Sequence, residues 1–290
     1  MKKENKAEIY YTSEYFSVKD TLECGQIFRF RPYKKGYLVF FGDNVAYCYD
    51  NGEYAVIECN EGQEARFVNF FDLERDYGEI VDNATKFNVD VLERSARLGK
   101  GIRILNQAPE EALFSFVISQ NNNIPRIKNS IEKLCEIYGE KRDSEYGEYF
   151  TFPTAEKLAL ADEERLKSAG LGYRVSYIKS VANEIVNGFN LESLKTLTTE
   201  ELRAKLISLK GVGEKVADCV TLFGFHRSDS FPVDTWIEKV YRENFNGSLT
   251  DRRKITEYFV NKFGKDSGYF QQYLFYYKRS LEKQNKNTEK

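Results

Sequence analysis

Two residues of this sequence have the types and placement of a nucleophile and its partner. Lys215 lies in the stretch Leu206-Ile-Ser-Leu-Lys-Gly-Val-Gly-Glu-Lys-Val-Ala-Asp218, two residues past a Gly211-Val212-Gly213 turn, and Asp234 closes the segment Phe231-Pro232-Val233-Asp234. Glycines at alternate positions permit positive φ and the close approach of another backbone. Two helices therefore meet at a very short turn, and the second begins with free amides at the positive end of its dipole. A nucleic-acid phosphate is a natural guest there, through contacts that ignore base sequence; the same pattern also serves an ordinary helix–helix turn. Lys215 falls in the first turn of that second helix, where a cation is disfavoured. It is either a solvated lysine tolerating its site or an amine made nucleophilic by the disfavour of its charged form. Asp234 precedes Thr235-Trp236-Ile237 and is placed to cap the helix they begin. Geometry allows more. The helix from Lys215 to about Phe225 is ~16 Å long, and the return to Asp234 spans up to ~30 Å, enough to bring the carboxylate beside the amine.

The elements that must carry these residues are of two kinds. Residues 26–31, 37–41, 45–49 and 54–58 are short aromatic or branched runs, separated by turn signals at Lys34-Lys35-Gly36, Gly42-Asp43-Asn44 and Asp50-Asn51-Gly52. Close spacing with tight turns predicts an antiparallel meander. The N-terminal Met-Lys-Lys-Glu-Asn-Lys leads only into a polar segment. After about Phe67 the texture turns helical. Pro109 opens one helix; Ile124, Ile127, Ile131, Leu134 and Tyr138 recur at helical spacing between Pro125 and Gly139. Thr154 caps a helix that runs to Gly170-Leu171-Gly172, and Thr198 with Glu201 forms a capping box. Leu202, Leu206 and Leu209 give that last helix its apolar face, and Val216, Val220 and Phe223 do the same for the next. The expected fold is α+β: an N-terminal antiparallel β-sheet domain over residues 1–105, then a mostly helical domain over 106–290, with the hairpin at about 199–225.

Composition narrows the chemistry. At 290 residues there is room for two domains. The five cysteines are odd in number and form no CxxC pair, which fits reduced, mostly buried thiols. His226 is the only histidine, which removes multi-histidine metal sites and a histidine base. No apolar run approaches the ~20 residues of a membrane span, and the N-terminus lacks a secretory signal, so the expectation is a cytoplasmic monomer with no membrane partner. A net charge of −2 is low for a nucleic-acid binder, which leaves phosphate contacts to backbone amides.

The hairpin, the lysine and the Pro-Val-Asp segment, in that order, resemble the helix-hairpin-helix/Gly-Pro-Asp (HhH-GPD) superfamily of DNA glycosylases. Within it the sequence is most similar to the 8-oxoguanine DNA glycosylase/AP lyase family, in a bacterial form. Further agreeing segments are Gly25-Gln26 before Phe-Arg-Phe, Leu113-Phe114-Ser115-Phe116, Asn121-Asn122-Asn123-Ile124, Leu171-Gly172-Tyr173-Arg174, and Gly268 to Phe275. The resemblance implies base excision repair at the bacterial nucleoid, acting on double-stranded DNA that holds 8-oxoguanine opposite cytosine, with the damaged nucleotide flipped into a pocket. It gives Lys215 the role of nucleophile at the sugar C1′ and Asp234 that of stabilising the positive charge that develops there. It gives Gly25 a carbonyl for N7–H of the lesion, a donor that normal guanine lacks. Cys219 and Phe275 would sandwich the base and Gln271 would read its Watson–Crick edge. Tyr173 would wedge into the duplex, and Asn121, Arg126 and Arg174 would meet the orphaned cytosine. Gly211, Gly213 and Trp236 would touch phosphate. No cofactor is implied beyond a structural monovalent cation on the carbonyls of Leu209 and Val212. Three departures stand out: Ile27 replaces a serine of the eukaryotic pattern, Trp236 a histidine, and Lys278 an aspartate that partners that histidine.

Rival readings make distinct demands. A monofunctional glycosylase of this fold lacks the hairpin lysine, and the iron–sulfur members carry four cysteines after the aspartate, whereas no cysteine follows Cys219 here. An iron–sulfur cluster of that kind is excluded. Another lesion preference on the same fold, or a non-catalytic module that only grips phosphate, remains; the latter leaves Lys215 and Asp234 without use beyond surface and cap.

Overall fold

The computed structural model describes residues 5–288. Its N-terminal half is built on a five-stranded antiparallel sheet of order β1-β5-β4-β3-β2, with β1 Lys6–Thr12, β2 Phe30–Tyr33, β3 Gly36–Phe41, β4 Asn44–Asp50 and β5 Tyr54–Asn60. The period of two is plain in the burial. Val39, Ala46, Cys48 and Ile57 face a core shared with α1 (Val18–Glu23) and α2 (Glu64–Phe70), through Leu22, Phe67 and Phe70. Leu38, Phe40, Val45 and Tyr47 point the other way and are covered by Tyr149.

Two parts of the sheet differ from the sequence expectation. β1 arises from the stretch taken as polar: its mixed alternation, Lys6 and Glu8 with Ile9 and Tyr11, suits an edge strand, and it pairs with β5 from Lys6↔Asn60 to Thr12↔Tyr54. The run 26–31 is not a strand until Phe30. Gln26 is fully buried and its side-chain amide donates to the carbonyls of Thr21 (3.0 Å) and Arg103 (2.7 Å) while accepting from the Leu105 amide (2.8 Å). Gln26 is thereby stapled across to 103–105, and the run first meets the sheet where the Arg29 carbonyl accepts from the Phe40 amide (3.1 Å).

The remainder is helical: α3 Tyr77–Thr85, α4 Asp90–Gly99, α5 Pro109–Ser119 and α6 Ile124–Tyr138 come first. Pro109 and Pro125 sit in the first turns of α5 and α6, and Gly139 ends the latter, as their sequence predicts. A hairpin of β6 (Lys141–Ser144) and β7 (Gly147–Phe150) then interrupts the helices and supplies Tyr149 to the far face of the sheet. The single helix expected after Thr154 is two short ones, α7 Ala155–Ala159 and α8 Glu163–Ser168, because Asp162 starts a new turn by capping the Arg165 amide at 2.9 Å. There follow α9 Val175–Val186, α10 Thr199–Ile207, α11 Glu214–Phe223, α12 Thr235–Asn244, α13 Arg252–Phe263 and α14 Ser267–Thr288. The Thr198–Glu201 capping box of α10 is present in both directions. One apolar cluster runs from Leu113 and Phe116 on α5 through Val216 and Val220 on α11 to Phe270 and Leu274 on α14, and reaches Cys24 and Phe28 of the sheet half. The seam between the halves is where the pocket opens. Among the described residues no helix is long and apolar enough to cross a membrane.

Candidate active site

The turn between α10 and α11 demands glycine at one position and leaves the other bare. Gly211 has φ +90°, and a Cβ there would lie 2.4 Å from the Tyr177 ring of α9. Gly213 caps α11 with no side chain over its amides, and a Cβ built on it meets nothing within 4 Å. A strand can therefore approach the first turn of α11 without obstruction. Leu209 and Val212 are buried in the turn; the Leu209 carbonyl accepts from the Val212 amide (3.0 Å) and that of Gly211 from Gln120 Nε2 (2.8 Å).

Lys215 emerges from that first turn, half-buried, with its Nζ 5.3 Å from the Phe116 ring centroid. Its charge acts on the Cys219 thiol one turn on and on the Asp234 carboxylate across the return loop. Asp234 is the N-cap of α12: its Oδ1 accepts from the amides of Trp236 and Ile237, both at 3.0 Å. Burial raises its pKa; the two amides and Lys215 oppose the rise. Burial also pushes the Cys219 thiol up to about 11, so it is a neutral group beside the lysine, behind the residues that line the pocket.

Both groups open into a pocket of about 630 Å³ on the seam between the halves, lined also by Gly25, Phe28, Phe116, Trp236, Phe275 and Arg279. Gly25 forms one wall where the chain turns out of α1, with φ +101°. α14 supplies the opposite wall. Phe275 and Arg279, four residues apart on one face of it, line the pocket, and Gln271, one turn before Phe275 on that face, lies behind the lining. Gln271 is only 5% exposed, not the solvated helix position its sequence suggests. It donates to the Pro232 carbonyl (3.1 Å), and its Oε1 is buried without a partner. That orphan acceptor suits a ligand edge bearing N–H groups.

The remaining expected residues lie apart from this pocket or stand differently within it. Tyr173 is 54% exposed and flanks Asn121, whose φ is +46°. Arg126 is exposed in the first turn of α6. Arg174 is not the surface arginine of the sequence reading: it is 6% exposed, and its guanidinium donates to the carbonyls of Gln120 (2.9 Å), Asn121 (3.0 Å) and Leu171 (3.3 Å) while lying 4.6 Å from the Tyr173 ring centroid. In this state it braces Asn121 and Tyr173. Trp236 lines the pocket with Lys239 over its ring, whereas Lys278 pairs with Glu243 at 2.5 Å. Ile27 is buried.

Three charged residues near the site escaped the sequence reading. Lys128 lines the pocket with its Nζ 3.5 Å from the Phe30 ring centroid, and burial lowers its pKa. Asp218, one turn beyond Lys215, is buried against Arg203 at 2.5 Å. Arg279 was foreshadowed only by its spacing of four from Phe275. Among the described residues no group of three or more His, Cys, Asp and Glu side chains is placed to hold a metal ion.

The sequence and the fold are similar to those of known proteins. Residues 114–265 match the family model described as HhH-GPD superfamily base excision DNA repair protein, and residues 8–113 that of the 8-oxoguanine DNA glycosylase N-terminal domain. The sequence is 29% identical over 285 residues to the N-glycosylase/DNA lyase OGG1 of Arabidopsis thaliana, covering 88% of this chain and 75% of that protein. The Clostridium acetobutylicum 8-oxoguanine glycosylase/lyase, solved with double-stranded DNA containing cytosine opposite 8-oxoG, superposes with a TM-score of 0.88 at 38% identity and 93% coverage of each chain. MBOgg1, solved with a low-affinity DNA ligand, gives 0.90 at 35% identity, covering 97% of this chain and 98% of that one.

Proposed function

Because the chain belongs to the HhH-GPD superfamily of base excision DNA repair proteins, with the N-terminal domain of the 8-oxoguanine DNA glycosylases, we propose that its pocket receives a flipped oxidised guanine with Cys219 and Phe275 on its two faces and Gly25 at its edge. The protein is a DNA glycosylase/AP lyase that excises 8-oxoguanine from duplex DNA. The observation that carries the assignment of residues is the convergence of Lys215 and Asp234, from helices on either side of the return loop, on one pocket with Gly25 and Phe275.

Lys215 Nζ bonds through its lone pair to the sugar C1′ as the C1′–N9 bond breaks, and the base leaves with that electron pair and takes up a proton. Opening of the sugar ring leaves an iminium. Loss of a proton from C2′ then expels the 3′ phosphate, cutting the strand. Asp234, already holding two α12 amides, faces the positive charge that develops at the sugar. The Gly25 carbonyl accepts from N7–H, and the buried Oε1 of Gln271 accepts from the Watson–Crick donors of the base. Outside the pocket, Tyr173 fills the gap left in the stack, and Asn121 and Arg126, with Arg174 behind them, contact the opposite cytosine. The bare amides at Gly213 hold a phosphate. A monovalent cation on the Leu209 and Val212 carbonyls fits this reading, since the Val212 carbonyl accepts no hydrogen bond among the described residues; bound there it would tighten the turn and its phosphate contact.

Borohydride trapping on duplex DNA with 8-oxoguanine opposite cytosine tests the assignment. A covalent adduct in the parent that is lost in Lys215→Gln supports it, and no adduct in the parent sinks it.

A further inference from the structure

The two walls of the pocket come from different halves of the molecule, and one side chain touches both. Arg279 leaves α14 one turn after Phe275, and its guanidinium carbon lies 5.5 Å from the centroid of that ring. Its Nη1 donates to the Cys24 carbonyl at 3.0 Å and its Nη2 to the Glu23 carbonyl at 2.5 Å. These are carbonyls at the C-terminus of α1, which the helix itself leaves unsatisfied and which favour a cation. The Cys24 carbonyl belongs to the same rigid peptide plane as the Gly25 amide. Fixing it fixes one side of Gly25, whose φ of +101° is open to glycine but to few other residues, so that its freedom of conformation must be limited by its neighbours. The contact is close: a Cβ on Gly25 would sit 3.0 Å from Arg279 Nη1 and 3.6 Å from Phe275 Cε1. On its other side Gly25 is followed by the stapled Gln26, whose carbonyl accepts from Gln107 at 2.8 Å. Neighbouring residues of the same helix reinforce the clasp, with Tyr276 donating to Asp20 at 2.8 Å and Gln272 reaching the Cys24 carbonyl at 3.4 Å.

We propose that Arg279 is a positioning residue for lesion recognition: its fork holds the Gly25 carbonyl and the Phe275 ring at a fixed separation, so that the pocket accepts a base whose N7 bears hydrogen. This inference rests on the reading of the pocket as a lesion site. Arg279 acts through Gly25 and Phe275 and takes no part in the chemistry at C1′. An abasic site has no base to seat, so its cleavage by Lys215 needs neither wall. The two activities of one enzyme therefore separate recognition from chemistry.

The experiment measures single-turnover cleavage of two duplexes, one with 8-oxoguanine and one with a preformed abasic site, each opposite cytosine, by the parent, Arg279→Leu and Arg279→Lys. Leucine removes both charge-assisted hydrogen bonds, and excision of 8-oxoguanine should fall about 10- to 100-fold. Abasic cleavage and the half-saturating DNA concentration should stay within about threefold, the scatter expected of a surface change. Lysine keeps one donor without the planar fork and should fall between the two. Parallel loss of both activities in both variants, or a ratio of the two equal to the parent's, overturns the inference. A parent that does not excise 8-oxoguanine removes the functional reading instead, and this inference with it.

Discussion

Asp234 serves as a helix cap and as the carboxylate facing Lys215, and a single substitution separates the two roles. Asparagine ranks with aspartate as an N-cap, so Asp234→Asn retains an oxygen for the amides of Trp236 and Ile237 while removing the charge. Alanine removes both. The cap alone is worth about 1 kcal/mol, and that loss should appear in the thermal midpoint of Asp234→Ala and be nearly absent in Asp234→Asn. The charge is worth more. At an effective dielectric near 20, a unit charge about 4–5 Å from another contributes roughly 3–4 kcal/mol, and withdrawing it from a cationic transition state slows excision about 10²- to 10³-fold. Single-turnover excision of 8-oxoguanine opposite cytosine measures that rate, with thermal unfolding in parallel. The pH profile supplies an independent check. Burial raises the pKa of Asp234, and the ionised form is the active one, so the parent's rate should decline on the acid side starting nearer neutrality than for an ordinary carboxylate. Asp234→Asn should lose that limb. An Asn variant within about fivefold of the parent, with only the Ala variant impaired and in step with its stability, would refute the catalytic role and leave Asp234 a cap.

Three further outcomes follow from the same geometry. Cleavage opposite each of the four bases should lose its cytosine preference in Arg126→Ala; Arg174→Ala should do so with a lower thermal midpoint as well, because its fork holds three carbonyls, and an unchanged preference in both variants refutes the assignment. Asp218 is raised by burial to about 6 in the fold, so the folded state holds this proton more tightly than the unfolded chain. Its contribution is full below about pH 4 and is lost as pH rises through 6, amounting to roughly 2–3 kcal/mol; the stability difference between the parent and Asp218→Asn should change across that window, and a flat difference contradicts it. With a net charge of −2, DNA binding should show a shallow log–log salt slope, and a value on the order of −10 would show many neutralised phosphates instead.

What the sequence displayed and what it hid divide along the reach of the forces involved. The capping box at Thr198 and Glu201, the prolines opening α5 and α6, and the cap at Asp234 each depend on neighbours within four residues and are legible from spacing; the hairpin glycines are legible in the same way, although the Tyr177 ring that also demands Gly211 is not. β1 was hidden because its alternation is mixed and its register belongs to β5, more than forty residues away. The run 26–31 has strand composition, but the buried Gln26 amide commits its first half to residues 103–105. Arg174 looked like a surface residue because nothing near it in sequence reveals that Gln120 and Asn121 turn their carbonyls towards it. Arg279 is the extreme case, for its partners at Glu23 and Cys24 lie 256 and 255 residues away. In the proposed mechanism, chemistry at C1′ needs only Lys215 and Asp234, which one short return loop joins. Recognition of the base needs walls from opposite ends of the chain, and the residues that hold them together become visible only once the two halves close on each other.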